Sequence, residues 1–119
     1  RMKYKKPSEH QIQSAFMELL AWKYPKIREI TFAIPNGGFR HIGTARKLKA
    51  EGSKAGVADV FVMQATGLQH GLWIEFKAGY GKQSDAQIAF ERLAIRQSYE
   101  YIVCYSVDEA IDKINKYFG

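Results

Sequence analysis

A single mixed α/β domain is the fold class that this sequence predicts, and three observations predict it. Segments of helical period alternate with short apolar runs rich in β-branched and aromatic residues, capping and turn residues stand at their junctions, and 119 residues at 46% hydrophobic and 25% charged are enough for one core. The order reads α-β-α-β-β-α-β-α, with helices expected on both faces of a mixed sheet. No repeat, low-complexity tract or dividing linker interrupts it, so residues 1–119 are expected to be one domain with a flexible basic N-terminus over 1–6.

The first helix is expected in "SEHQIQSAFMELLAWKY", where Ser8 is placed to cap, Ile12, Ala15, Phe16, Leu19 and Trp22 fall at helical spacing, and Pro25 closes the run. "REITFAI" reads as a strand leading into "PNGG", a turn that accepts positive φ. "HIGTARKLKAEG" reads as a short basic helix ending at Gly52. "VADVFVMQA" and "GLWIEFKA" are two strands joined by a Gly-containing connection. "SDAQIAFERLAIRQS" opens on a capping Ser84 and has a helical period, "YEYIVCYS" is a strand, and "SVDEAIDKINKYF" is a closing helix capped by Ser106.

Several function classes drop out on composition. The single cysteine, Cys104, has no partner in the chain, so a disulfide framework and a cysteine-based zinc site are excluded, and it is expected as a small buried hydrophobe. No apolar stretch is long enough to span a bilayer or to serve as a signal-peptide core, and a cytoplasmic protein is expected. Arg1 ahead of Met2 reads as a residue left by expression. The net charge of +6 is uneven: residues 1–52 hold eleven Lys/Arg against four Asp/Glu, and residues 53–119 hold seven against eight. That basic first half is either a solvated surface or a face for a polyanion.

The chemistry is concentrated in "GVADVFVMQATGLQHGLWIEFKAG". Strand alternation puts Ile74 and Phe76 on one face and Glu75 and Lys77 on the other, and pairing of the two strands brings Asp59 beside Glu75. Two neighbouring carboxylates among apolar residues repel unless a cation lies between them. Such a pair can hold Mg²⁺ or Mn²⁺, with the lysine orienting a water or balancing charge, which is what metal-assisted phosphodiester hydrolysis requires. The ordinary alternative for Glu-x-Lys on a strand is a solvated face with a weak ion pair, and for Asp59 a turn or cap residue.

Other residues are candidates for contact with nucleic acid. Asn36 and the backbone amides of "PNGG" can meet a phosphate, and Arg40 with the Arg46, Lys47, Lys49 cluster lies just beyond; plain solvation is the alternative. His10, His41 and His70 lack metal-ligand spacing and are expected at the surface, while Trp22, Trp73 and the tyrosines are expected in the core. "GYGKQ" lacks the pattern of a phosphate-binding loop.

At Asp59, Glu75 and Lys77 the sequence resembles the PD-(D/E)XK nuclease core. Together with "PNGG", "GSKAGVADVFV", "GLWIEFKAGYGKQSDAQIAF" and "SYEYIVCYSVDEAI", it looks like the VRR-NUC family over about residues 9–114. Val-Ala-Asp stands where that family often has Val-Pro-Asp, a change of backbone shape and not of chemistry. The resemblance implies a restriction-endonuclease-like mixed sheet flanked by helices. It implies Asp59 and Glu75 as metal ligands, the Phe76 carbonyl as a further oxygen, Lys77 acting on the attacking water, and Gln87 beside the site. It also implies an acidic residue on the first helix, for which Glu9 and Glu18 compete. Glu9 falls closer to the stripe of Ile12, Phe16 and Leu19 and is chosen. Stand-alone members of the family imply a homodimer that cuts branched DNA, most of all four-way (Holliday) junctions, with Met17 and Trp22 as candidates for the dimer surface. A monomeric flap or end nuclease, a catalytically silent DNA-binding module and an interaction domain remain as alternatives.

Overall fold

The computed structural model describes residues 5–35 and 42–119. Its first helix, α1 (Glu9–Lys23), begins where Ser8 and Gln11 exchange side chains for backbone donors: Gln11 N–H donates to Ser8 Oγ at 3.1 Å and Ser8 N–H to Gln11 Oε1 at 2.9 Å. The buried stripe is Ile12, Phe16 and Leu20. It runs along i, i+4, i+8, so the expected stripe through Ala15, Leu19 and Trp22 is displaced: Ala15 is exposed, Leu19 is half-buried, and Trp22 is 83% exposed. At 100° per residue Trp22 stands about 120° around the helix from Phe16, too far to reach the sheet.

Pro25 does not simply close that helix. Tyr24, at φ −139°, breaks the spiral, and Pro25 starts a five-residue helix, α2 (Pro25–Glu29), at a position where its missing N–H costs nothing. The expected strand over "REITFAI" is therefore reduced to β1 (Thr31–Ala33), and the order gains one helix. The remaining elements are α3 (Ile42–Ala50), β2 (Val60–Val62), β3 (Leu72–Phe76), α4 (Asp85–Arg96), β4 (Glu100–Cys104) and α5 (Val107–Phe118).

The sheet has four strands in the order β1-β2-β3-β4. β1 and β2 pair antiparallel, as do β2 and β3, with Val60 opposite Ile74 and Val62 opposite Leu72. β4 returns parallel to β3 after the α4 crossover, with Phe76 opposite Cys104. The alternation of side chains then separates two cores. Val60, Val62, Leu72, Ile74, Phe76, Ile102 and Cys104 meet α1 and α5 through Phe16, Leu20, Ile111 and Ile114. Ala58, Trp73 and Tyr101 meet α4 through Phe90 and Ala94 on the other face. Cys104 is a fully buried hydrophobe, its thiol pushed up to about 12 by burial first and the nearby Glu109 second. The sheet is thus mixed and covered on both faces, as the sequence predicts.

Candidate active site

The α4 face of the sheet would be apolar throughout were it not for the ends of β2 and β3. Asp59 precedes Val60 and Glu75 follows Ile74, so the antiparallel register sets the two carboxylates opposite each other, on the face away from Val60, Ile74 and Phe76. Main-chain bonds hold each in place. Asp59 Oδ2 accepts from the Phe76 N–H at 2.8 Å, and the Asp59 carbonyl accepts from the Ile34 N–H at 2.8 Å. The Lys77 N–H donates to the Cys104 carbonyl at 2.9 Å, which carries the β3–β4 ladder one residue past Phe76.

Glu75 is 1% exposed and Lys77 8%. Glu75 Oε2 accepts from Gln87 Nε2 at 2.8 Å and lies 3.8 Å from Lys77 Nζ, whereas Oε1 is buried with no hydrogen-bond partner among the described residues. A solvated strand face does not have this burial. An exposed Glu–Lys pair contributes roughly 0–1 kcal/mol, while a buried carboxylate with an unsatisfied oxygen costs several kcal/mol. Burial, the Asp59 charge and Glu9 together push the Glu75 carboxyl up to about 8, against the pull of Lys77. Burial also raises Asp59, opposed by the Phe76 N–H, by hydrogen bonding with the Glu75 carboxyl and by Lys77. Two carboxylates this reluctant to ionise side by side are stabilised by a cation.

The donors fit a hard divalent cation. They are carboxylate oxygens, one of them orphaned, and Mg²⁺ is commonly held by only one or two carboxylates while keeping several waters. Among the described residues no group of three or more His, Cys, Asp and Glu is placed to hold a metal ion. Beside the pair opens a cleft of about 630 Å³, whose walls include Glu9, Gln13, Asp59, Glu75, Ser84 and Gln87.

No protein-family model matches the chain, and no curated protein matches it. A solved structure described as a "VRR_NUC domain protein" superposes with a TM-score of 0.83 at 26% identity, covering 96% of this chain and 90% of that one. The chain has the fold of a VRR-NUC domain. In its general form the nuclease assignment follows, since this is a nuclease-domain fold over nearly the whole chain.

Within the VRR-NUC domain, Glu9 lines the cleft and its charge reaches Glu75, whereas Glu18 lies in a separate groove with Leu19 and Trp22. Geometry separates them: Glu9 stands about 20° from Phe16 around α1 and Glu18 about 160°. Gln87 donates directly to the Glu75 carboxylate. Phe76 sends its ring into the opposite core, 5.4 Å from Phe16, while its backbone stays at the site. Arg46, Lys47 and Lys49 are exposed on α3, from which the chain runs through Gly52 into Ala55, Gly56 and Val57 on the cleft wall. Asn36, Arg40 and His41 lie outside the described residues. Met17 packs partly buried against the core and Trp22 is exposed. No helix among the described residues is long and apolar enough to cross a membrane.

Four features of the site were not anticipated. His10 is exposed, as expected, but it stands on the cleft wall. Gln83 Nε2 donates to Glu91 Oε1 at 3.0 Å and to the Tyr101 hydroxyl at 3.3 Å, bracing the residue that precedes the α4 cap. The Tyr101 hydroxyl is buried on the site's face and held well above its ordinary range, first by burial and then by the nearby acids. Gly56, at φ +89°, lets the loop pass the first turn of α4 so closely that a Cβ would lie 2.4 Å from the Ala86 carbonyl oxygen. Of the four, only Gly56 has a local signal, its place between Ala55 and Val57 just before a strand.

Proposed function

We propose that this VRR-NUC domain is a metal-dependent, structure-selective DNA endonuclease that resolves four-way junctions as a symmetric homodimer using Mg²⁺ or Mn²⁺. The observation that carries the reading is the half-buried Asp59 opposite the fully buried Glu75, with Lys77 beside them and one Glu75 oxygen lacking a hydrogen-bond partner among the described residues. Asp59 and Glu75, with the Phe76 carbonyl, would hold the metal, and Glu9 adds negative charge at the cleft wall. When bound, the metal supplies a nucleophilic water at neutral pH and charge to stabilise the phosphorane-like transition state. Lys77 would balance charge beside the attacking water, and Gln87, by binding Oε2, holds Glu75 so that its other oxygen is left free to serve as a ligand. Asn36, Arg40, Arg46, Lys47 and Lys49 contact phosphates and orient the strand.

The homodimer follows from the substrate. A four-way junction needs two matched cuts, and one acidic pair per chain supplies one of them, whereas a two-fold dimer presents two at fixed separation and polarity. Trp22, 83% exposed beside an apolar groove with Ala15, Leu19 and Val107, is the candidate contact. The test is a panel of duplex, flap, splayed and four-way DNA incubated with Mg²⁺ or Mn²⁺, with light scattering on the same samples. Paired cuts across the junction by a dimer support the reading. A monomer that cuts flaps and spares junctions overturns the resolvase and leaves the nuclease.

A further inference from the structure

The turn that follows Lys77 displays an aromatic ring to solvent on a rigid support. Gly81 N–H donates to the Ala78 carbonyl at 2.9 Å, closing a turn whose Gly79 sits at φ +55°, and the Tyr105 hydroxyl donates to the Gly81 carbonyl at 2.9 Å. An added Cβ on Gly81 would approach the Ala78 oxygen to 3.0 Å, so the turn has little room to rearrange. At its tip Tyr80 is 92% exposed, and Lys6 Nζ stands 5.0 Å from the centre of its ring. Rings are normally turned inward, because an apolar face in water forgoes the free energy of burial. A tied turn that nevertheless holds one outward has the form of a contact surface.

Its position is close to the chemistry at both ends. Tyr80 is three residues after Lys77, and Lys6 is three residues before Glu9 on the cleft wall, so each lies within about 10 Å of chain from the site. Lys6 and its sequence neighbour Lys5 are exposed, as is Lys82 two residues after Tyr80, and this local positive charge favours a polyanion. Trp22, the comparably exposed ring on α1, instead shares its groove with Glu18, which repels one.

We infer that Tyr80 and Lys6 form a stacking platform for an unpaired nucleobase beside the scissile phosphate. The base lies on the open face of the ring, and Lys6 neutralises the flanking phosphate. The inference rests on the nuclease reading and narrows its substrate to DNA with a splayed or unpaired nucleotide at the cleft. It requires the ring and not its hydroxyl.

The experiment is DNA binding by the full chain in EDTA, without cleavage, using splayed DNA with 2-aminopurine at the branch and a matched fully paired duplex. Wild type quenches the 2-aminopurine. Tyr80→Ala loses the quench and binds splayed DNA roughly ten-fold more weakly, with less than about a two-fold change on duplex, and Tyr80→Phe keeps both properties. Equal weakening on both DNAs, no weakening on either, or a Tyr80→Phe variant as poor as Tyr80→Ala overturns the platform. Wild type that binds neither DNA overturns the nuclease reading with it.

Discussion

The Gln87 amide donates from Nε2 to Glu75 Oε2 at 2.8 Å while its own Oε1 accepts from the Ser84 N–H at 2.8 Å. The second bond settles the first. Because the α4 cap needs an acceptor, the amide oxygen faces Ser84 and the NH₂ is left facing the carboxylate. One side chain thus ties the start of a helix to the most buried acidic side chain among the described residues.

Removing either end of this tie has different consequences. Ser84→Ala loses the hydroxyl that accepts from the Gln87 N–H and destabilises the fold by about 1 kcal/mol, but it keeps the Ser84 N–H that holds the Gln87 side chain. Gln87→Ala lowers cleavage roughly 10- to 100-fold by releasing Glu75, with little loss of DNA affinity. Thermal melts and single-turnover rates on the two variants check this, and a Gln87→Ala variant with the wild-type rate removes the positioning role.

The acidic pair and the lysine give the sharpest outcome. Asp59→Asn, Glu75→Gln and Lys77→Ala each lower cleavage about 100-fold or more while binding of DNA persists. Glu75→Gln also keeps or raises stability without metal, since it replaces a reluctant buried carboxylate by a neutral amide of the same shape. Cleavage at the wild-type rate by all three variants contradicts the assignment.

Stability of the metal-free protein varies with pH through the same group. Glu75 is pushed up to about 8 from an ordinary 4.5, so between those values the folded chain keeps a proton that the unfolded chain releases. The stabilisation is full below the lower value and is lost as pH rises through the upper one. Melting temperatures in EDTA therefore fall from about pH 5 to about pH 9, Glu75→Gln flattens the fall, and Mg²⁺ restores most stability at the alkaline end.

Strand alternation made much of this arrangement legible. Glu75 and Lys77 share a face because side chains alternate, and the pairing with β2 brings Asp59 to them. The capping patterns at Ser8, Ser84 and Ser106 marked three helix starts that the structure shows. The second helix was missed because Pro25 signals both an end and a beginning, and here Tyr24 lets it do both. The α1 stripe was placed too far round because Trp22 is apolar, although its angle excludes it from the core. The Gln83–Glu91–Tyr101 brace spans three elements, and no local period encodes such a contact.

For the basic helix the expected signature is in salt dependence. Replacing Arg46, Lys47 and Lys49, all exposed on α3, with alanine weakens binding to every DNA sequence alike. The slope of log affinity against log salt falls by roughly one for each phosphate that the variant no longer neutralises. Anisotropy titrations over a range of salt measure it, and an unchanged slope means that α3 faces away from DNA.

Gly56 provides a test of how the site is assembled rather than of its chemistry. A side chain there meets two obstacles at once: φ +89° is unfavourable for an L residue, and the Cβ would lie 2.4 Å from the Ala86 oxygen, against backbone that belongs to the first turn of α4. Gly56→Ala therefore destabilises the protein by more than about 2 kcal/mol. Because Ala86 adjoins Gln87, the variant that still folds displaces the amide from Glu75 and loses cleavage beyond its loss of stability. Gly67→Ala is the control, since a Cβ there meets nothing within 4 Å and its φ is not positive, so its melting temperature stays within a few degrees or rises. Equal melting temperatures and rates for the two variants mean that the loop does not hold α4 against the site.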